Sequence, residues 1–413
     1  MISRITALNT AIEKGKAMRF DLPQGVLNVL ERLNAAGYQA YAVGGCVRDL
    51  ARGVPPHDYD ICTSALPEQT EQCFSNERVV ETGLKHGTVT VVMADEPYEI
   101  TTFRTDGDYL DGRHPESVAF TDSLTEDLRR RDFTINAMAF HPKTGLCDPF
   151  GGLADIDAHI IRCVGDANKR FTEDALRILR ALRFASELQF DIVPDTACAM
   201  RTLCPRLSMV SRERIAGELL RTLNGKNAVP VLRNFDCVLL AALPDYPADA
   251  LPHALDLLAS MPCGDTVLRT AALLTPCGAD AARVLDSLKP SRIFARQVLE
   301  LIDAAAETIN AKELPLWLSQ LGETQLRRLL ILQQREDLTD CLPDILAKNL
   351  PLKLSDLAVN GKDLILAGTN PGADVGQTLQ KLHRKVLLGE LPNEKKALLG
   401  ETEKTAREQL PQM

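Results

Sequence analysis

The sequence predicts an α+β fold, in which an N-terminal head with a mixed sheet and helices is followed by an all-α neck, body and tail. Two observations support this. Up to about residue 165, segments with the two-residue period of strands are interspersed with segments of helical spacing. Beyond that residue the 3.6-residue period dominates and strand signals fade. With 413 residues, 45% of them hydrophobic, the chain can bury a substantial core in several domains.

The first elements alternate between helix and strand. Residues 24–36 place apolar side chains at helical spacing and this pattern stops at Gly37, after which QAYAV is typical of a short strand. Gly44 and Gly45 break that strand, and CVRDLARG then predicts a second helix.

Two further strand regions and a loop follow. DYDICTS predicts a strand, and residues 87–104 predict a β-hairpin that turns at Asp95 and Glu96. Residues 105–122 are rich in Gly, Asp and Pro, which predicts a mobile loop.

The remainder is predicted to be helical, since TEDALRILRALRFASEL, RERIAGELLRTL and VLRTAALL all carry the helical period. Breaks that contain Pro or Gly fall near residues 225–230, 262–265, 288–291 and 368–373. We therefore expect four domains: a head (1–165), a neck (166–225), a body (226–350) and a tail (351–413).

Composition excludes several classes of protein. The eleven cysteines include no C-x2-C pair and the seven histidines are dispersed along the chain, which argues against a zinc site. No stretch reaches the roughly 18 apolar residues of a membrane span, and the N-terminus lacks the apolar core of a secretory signal. We expect a cytoplasmic protein with no membrane partner.

Charge is distributed unevenly along the chain. The formal net charge of −9 argues against a nucleic-acid partner, because phosphate binding requires Lys and Arg. Residues 162–233, however, contain thirteen Lys and Arg against eight Asp and Glu. This local excess fits either phosphate binding or a solvated helical face.

The pair Asp58 and Asp60 is the first candidate for chemistry. Residues two apart in a strand point to the same side, so both carboxylates would face one way, and Glu99 on the hairpin could add a third. Mg²⁺ prefers such oxygen ligands, and acids around two metal ions are typical of phosphoryl or nucleotidyl transfer. Spacing alone is not specific, since Asp155 and Asp157 share it.

The Gly44-Gly45 turn supports that interpretation. Glycine allows close approach of the backbone to a ligand, and the helix that follows offers free N–H groups to an anion. Arg48 adds positive charge one turn into this helix, as a triphosphate would require.

Five motifs together carry a family resemblance: GGCVRD, DYDI, EITTFR, LRRRDFTINAMAF and RFTEDALRILRALRFA. The chain resembles the class II, bacterial-type tRNA nucleotidyltransferases, the CCA-adding enzymes of the polymerase-β-like nucleotidyltransferase superfamily. The resemblance covers nearly the whole chain, because the segment from DLAVNGKDL to NEKKALL is similar to the C-terminal part of Gram-positive-type members.

The resemblance implies roles for individual residues. Asp58 and Asp60 would bind catalytic Mg²⁺, with Glu99 as the candidate third carboxylate. Arg131 and Asp132 match the family's motif for gripping the incoming nucleotide and its ribose. The full set of expected nucleotide-binding residues is Gly44, Gly45, Arg48, Arg131, Asp132, Asn136, Asp174, Arg177, Arg180 and Arg183.

Within that set, Asp174 and Arg177 are expected to select the base. Three positions apart, they would share a helix face, with the carboxylate accepting from the amino group of cytosine or adenine and the guanidinium donating to the neighbouring ring nitrogen. Uracil and guanine present a carbonyl instead, which a carboxylate cannot bind. Arg180 and Arg183 would hold phosphate or orient the pair.

The implied activity is template-independent addition of CCA to the 3′ end of tRNA from CTP and ATP, with release of pyrophosphate and no obligatory protein partner. In this family a flexible loop like residues 105–122 accompanies addition of the terminal A, so a CC-only enzyme is disfavoured. An A-adding enzyme with a CC-adding partner and a bacterial poly(A) polymerase stay open. A small-molecule nucleotidyltransferase would leave the Asp174 helix without purpose, and a non-catalytic RNA-binding relative would have no need of three clustered acids.

Overall fold

The computed structural model describes residues 20–83, 87–107 and 118–408. These fall into two compact units: one holds the described residues up to Ala248 together with Ser287–Lys289, the other Asp249–Asp286 and those from Pro290 onward. The division into head, neck, body and tail stays a prediction.

The first unit contains a seven-stranded mixed sheet with the strand order 3-4-5-2-1-8-9. Its strands are β1 (Ala40–Val43), β2 (Ile61–Thr63), β3 (Arg78–Gly83), β4 (Thr88–Met93), β5 (Glu96–Thr102), β8 (Ala139–His141) and β9 (Gly145–Cys147). β2 and β5 pair in parallel and the other neighbours are antiparallel. Two small pairs stand apart, antiparallel β6 (Arg104–Asp106) with β7 (Val118–Phe120) and parallel β10 (Ile160–Ile161) with β11 (Asp191–Ile192).

Helices surround the sheet and continue beyond it. They are α1 (Gln24–Ala35), α2 (Gly45–Ala51), α3 (Pro67–Cys73), α4 (Leu124–Arg129), α5 (Gly152–Asp157), α6 (Ala167–Glu173), α7 (Leu176–Leu188), α8 (Pro194–Leu203), α9 (Arg212–Asn224), α10 (Ala228–Asn234) and α11 (Asp236–Ala242). Short 3₁₀ turns lie at Thr134–Asn136 and Cys204–Met209.

Both faces of the sheet are buried, because Ile61 and Cys62, neighbours in β2, belong to different hydrophobic clusters. Ile61 packs with Leu30 of α1, and Cys62 lies in the cluster that contains Leu128 of α4. Packing on both faces therefore holds in place the end of the sheet at which the candidate acids lie.

The second unit is helical. Its elements are α12 (Leu251–Ala259), α13 (Thr266–Leu274), α14 (Ala281–Ser287), α15 (Arg292–Ala305), α16 (Leu314–Leu332), α17 (Glu336–Thr339), α18 (Leu342–Leu346), α19 (Gly361–Leu366), α20 (Ala373–Leu387) and α21 (Lys395–Glu408). Further 3₁₀ turns lie at Ala248–Ala250, Thr275–Asp280, Ala311–Glu313 and Leu354–Asp356. No helix in the described part of the chain is both long enough and apolar enough to cross a membrane.

Most sequence-based elements are confirmed, with small displacements. The hairpin turns at Ala94 and Asp95, both at positive φ, one residue earlier than predicted. The strand β11 was not expected so far along the chain. The predicted loop at 105–122 falls mostly on residues 108–117, which lie outside the described residues.

Candidate functional site

The acidic pair lies directly before β2 and not within it, so the predicted placement of both acids on the strand is wrong. Asp60 precedes Ile61, the first residue of the strand. The ladder with β1 still reaches it, because the Val43 amide donates to the Asp60 carbonyl oxygen at 3.0 Å. Asp58 and Asp60 are both accessible to solvent, at the end of the sheet where β1 passes into the glycine turn.

Glu99 on β5 is a neighbour of this pair. β2 and β5 run in parallel with Ile61 opposite Ile100, so the residues that precede these two, Asp60 and Glu99, come next to one another. Desolvation by the surrounding protein and then Asp58 raise the pKa of the Asp60 carboxyl, and Glu99 adds to that rise. Asp60 therefore interacts electrostatically with both other acids, although no three His, Cys, Asp or Glu side chains among the described residues approach closely enough to hold a metal ion.

Gly44 allows an arginine to reach this end of the sheet. Its φ of +79° lies in the region that favours glycine, and a Cβ there would stand 3.0 Å from Nη1 of Arg131. Arg131 also contacts Asp127, from Nη2 to Oδ2 at 3.4 Å, while its buried Nε has no partner among the described residues. Burial opposes the charged form, but Asp127 and more weakly Asp60 raise the pKa of Arg131.

A hydrogen-bonded chain links the glycine turn to helix α7. Arg48 of α2 donates from Nη1 to Oδ1 of Asn136 at 2.8 Å, and Asn136 donates from Nδ2 to Oδ1 of Asp132 at 3.4 Å. The other oxygen of Asp132 accepts from Nε of Arg180 at 2.7 Å. Burial alone would raise the pKa of Asp132, but Arg180 and then Arg177 hold it down to about 2. The structure thus joins four predicted nucleotide-binding residues.

Asp174 occupies a break between α6 and α7. Its backbone is extended (φ −143°, ψ 106°), so the prediction that Asp174 and Arg177 share a helix face is wrong. The reason is local competition: Oδ1 of Asp174 accepts from the Leu176 amide at 3.0 Å, which an aspartate does readily in place of helix hydrogen bonding. Its Oδ2 accepts from Nη2 of Arg214 at 2.8 Å.

Arg177 is held beside this break. Its Nη1 donates to Oε2 of Glu173 at 2.6 Å and to the Arg170 carbonyl at 3.1 Å. Its Nη2 donates to the Arg130 carbonyl at 3.1 Å. The guanidinium therefore spans from α6 to the arginine run that precedes Asp132.

Arg183 is buried among carboxylates of two helices. Its side chain is 6% exposed and pairs with Glu218 at 2.6 Å and Glu187 at 3.1 Å. Burial lowers the pKa of its guanidinium. Of the two predicted roles, holding phosphate or orienting its neighbours, this position favours orientation.

Four partners of the predicted residues were missed from sequence: Asp127, Glu173, Arg214 and Glu218. Helical spacing could have indicated Glu173, which stands three residues after Arg170 and four before Arg177. For Arg214, no local signal exists, because its partner lies 40 residues away.

Family models cover most of the chain. Residues 40–162 match the poly A polymerase head domain, residues 189–243 the probable RNA and SrmB-binding site of polymerase A, and residues 268–401 tRNA nucleotidyltransferase domain 2.

Named relatives match at full length. The CCA-adding enzyme of Levilactobacillus brevis is 39% identical, covering 92% of this chain and 97% of the relative, and that of Latilactobacillus sakei is 40% identical, covering 90% and 96%. The crystal structure of the Bacillus stearothermophilus CCA-adding enzyme in complex with CTP superimposes with a TM-score of 0.80 at 35% identity, covering 92% of this chain and 97% of that one. Full-length identity at this level, together with the shared head and helical region, identifies the chain as an enzyme and a member of the CCA-adding enzyme family of nucleotidyltransferases.

Proposed function

We propose that this enzyme adds C, C and A in turn to the 3′ end of tRNA, using CTP and ATP without a nucleic-acid template and releasing pyrophosphate. The observation that carries the proposal is a continuous set of contacts, from Arg48 on the helix after the glycine turn, through Asn136 and Asp132, to Arg180 on the helix that follows Asp174. The end at Arg48 suits a triphosphate, and the end at Arg180 suits a base. The full-length likeness to CCA-adding enzymes supports the same function.

Mg²⁺ fits the acidic end. Asp58, Asp60 and Glu99 offer oxygen ligands only, and the pKa of Asp60 is raised first by desolvation and then by Asp58 and Glu99, a repulsion that a cation would relieve. Asp58 and Asp60 are the proposed ligands, with Glu99 beside them. When bound, the ion supplies Lewis-acid stabilisation of the charge that develops on the transferred phosphate.

The protein's own cations would hold the rest of the nucleotide. Arg131 lies near Gly44 and Arg48 near Gly45, and the two guanidinium groups would neutralise the triphosphate through charge-assisted hydrogen bonds to phosphate oxygens. Asp132 is held ionised by Arg180, so it can accept from a ribose hydroxyl. These contacts orient the α-phosphate toward the attacking 3′-hydroxyl of the tRNA.

Base choice would fall to Asp174 and Arg177. An ionised carboxylate only accepts, so it suits the amino groups of cytosine and adenine and opposes the carbonyl oxygens of uracil and guanine. A wrong base that leaves this carboxylate without its hydrogen bond would cost about 1–3 kcal/mol. Arg177 pairs with Glu173, the residue before Asp174, which supports a shared role for Asp174 and Arg177.

The tRNA itself would be held through backbone and shape by the helices that follow the head, since side chains read the deep major groove of A-form RNA poorly. The proposed setting is cytoplasmic, without a membrane or an obligatory protein partner. Not all of the basic excess at residues 162–233 is available for RNA, because Arg170, Arg177, Arg183 and Arg214 are paired with carboxylates inside the protein.

The test uses three tRNA transcripts, lacking CCA, ending in C, or ending in CC, with Mg²⁺ and CTP, ATP or both. The proposal expects growth by three, two and one nucleotides followed by a stop. Extension of only the CC-ended transcript would mean an A-adding enzyme. A long ladder with ATP on any RNA would mean a poly(A) polymerase.

A further inference from the structure

Helix α7 carries an aromatic ring that lies against three arginines. The ring belongs to Phe184, and the guanidinium carbon of each arginine stands over it, at 4.1 Å from the ring centroid for Arg183, 5.3 Å for Arg48 and 5.4 Å for Arg180. Distances below about 6 Å allow a cation–π interaction, in which the negative face of the ring attracts the cation. All three arginines belong to the set expected to bind the nucleotide.

The ring of Phe184 is fixed by its surroundings. The residue is 4% exposed and packs edge-on against Phe133, with ring centroids 5.7 Å apart and ring planes at 84°. Phe133 is fully buried and directly follows Asp132. The phenyl face is therefore held where α7 meets α2 and the segment that carries Asp132 and Asn136.

Arg48 shows what the ring adds to the hydrogen bonds. Its Nε and Nη2 donate to the Asp49 carboxylate at 3.0 and 2.9 Å, and its Nη1 donates to Oδ1 of Asn136 at 2.8 Å. These hydrogen bonds lie along the edge of the guanidinium, and its central carbon rests over the Phe184 ring. Nη2 is thereby kept beside the glycine turn, 3.8 Å from the position that a Cβ on Gly45 would take.

Arg180, one turn before Phe184, is restrained in a similar manner. Its Nε donates to Oδ2 of Asp132 at 2.7 Å, and its guanidinium carbon lies over the same ring. The hydrogen-bonded path from Arg180 to Arg48 includes a long link of 3.4 Å between Asn136 and Asp132. Phe184 therefore gives the two arginines a second and more direct connection.

Packing alone does not explain an aromatic residue at this position. A leucine would also bury apolar surface, but it offers no negative face to a cation. Guanidinium groups gathered around one side chain repel one another. Asp49 and Asp132 each pair with one of the three arginines, whereas the Phe184 ring contacts all of them.

We propose that Phe184 is a positioning residue for the incoming nucleotide, whose ring holds Arg48 and Arg180 at a fixed spacing through cation–π contacts. This inference rests on the proposed function, in which Arg48 binds the triphosphate and Arg180 holds Asp132 for the ribose. Phe184 acts through these arginines and does not contact the nucleotide itself. A weaker negative face should therefore lower the affinity for CTP without changing the affinity for tRNA.

The experiment replaces Phe184 by phenylalanines that carry one, two or three fluorine atoms on the ring, introduced at an amber codon. Fluorine withdraws electrons and weakens the negative face stepwise, while the side chain nearly keeps its shape. For each enzyme, kcat and KM for CTP and KM for tRNA are measured with a transcript that ends in C, to which one C is added. The matched control is the same series at Phe190, a buried ring 5.8 Å from the guanidinium carbon of Arg52, which lies outside the predicted set.

We expect the KM for CTP to rise with each fluorine at Phe184, reaching about threefold or more with trifluorophenylalanine, because a cation–π contact of ordinary strength is lost. The KM for tRNA should stay unchanged. F184L, which removes the ring and keeps an apolar side chain, should raise the KM for CTP at least as far. The Phe190 series should leave both KM values unchanged.

A KM for CTP that is independent of fluorination at Phe184, or that rises equally in the Phe190 series, would overturn the inference and leave the proposed function intact. Equal rises in the KM for CTP and for tRNA would also overturn it, because the ring would then serve the fold and not the nucleotide. If F184L does not fold, the fluorinated series decides alone. An unmodified enzyme that adds no C to the transcript would overturn the proposed function, and this inference with it.

Discussion

Replacing Asp132 by asparagine tests the ion pair that joins the head to helix α7. Asp132 is buried and its carboxylate accepts from Arg180 at 2.7 Å, which with Arg177 holds its pKa at about 2, against an ordinary value of 3.8. A shift of one pKa unit corresponds to about 1.4 kcal/mol, so the charged form of Asp132 contributes about 2 kcal/mol to stability at neutral pH.

The direction of the pH dependence of stability follows from the lowered pKa of Asp132. The contribution is fully present above the unfolded-state pKa of 3.8 and is lost as the pH falls toward about 2. D132N should therefore unfold about 2 kcal/mol more easily at pH 7, and the difference from the unmodified enzyme should shrink to about half that at pH 3.

Urea unfolding at pH 7 and pH 3, followed by circular dichroism, measures this difference. The matched control is E77Q, which removes a half-exposed partner of Arg32 and should cost no more than about 1 kcal/mol at either pH. A D132N difference that is absent at pH 7, or that stays the same at pH 3, would refute the assignment of this stability to the charge on Asp132.

Three further predictions concern activity. D60A should abolish nucleotide transfer while tRNA binding measured by filter retention survives, and near-normal transfer would remove Asp60 from the proposed metal site. R177A should relax nucleotide choice, so unchanged discrimination against UTP and GTP in single-addition assays would exclude Arg177 from base selection. G44A should destabilise the enzyme by about 1–2 kcal/mol and raise KM for CTP, because alanine is strained at φ +79° and its Cβ would press on Arg131; an unchanged KM would contradict a triphosphate role for this turn.

Residue patterns were sufficient to predict helices, breaks and turns where the interactions that determine them are local. The helix at residues 24–36 and the breaks near 225–230 and 368–373 were predicted because apolar spacing, Pro and Gly act within a few residues. The glycine turn was identified for the same reason, because glycine itself permits the positive φ that Gly44 adopts.

Patterns failed at Asp174, where a side-chain hydrogen bond to a nearby amide competes with the helix, and for residues whose partners lie far along the chain. TEDALRILR has no Gly or Pro, and its helical period continues through Asp174, yet the chain leaves the helix there. No residue within the stretch predicts the contact with Arg214, whose hydrogen bond with Asp174 joins residues 40 apart. The burial of Arg183 against Glu218 depends in the same way on a helix that sequence spacing cannot place.

The central claim is that side chains of the protein, and not a template strand, choose the base. The most direct test is single-nucleotide addition by D174N to a tRNA lacking CCA, with CTP and UTP each supplied alone. Asparagine can donate as well as accept, so the account predicts that D174N incorporates UTP markedly better relative to CTP than the unmodified enzyme does. Discrimination that is undiminished in an active D174N enzyme would contradict it.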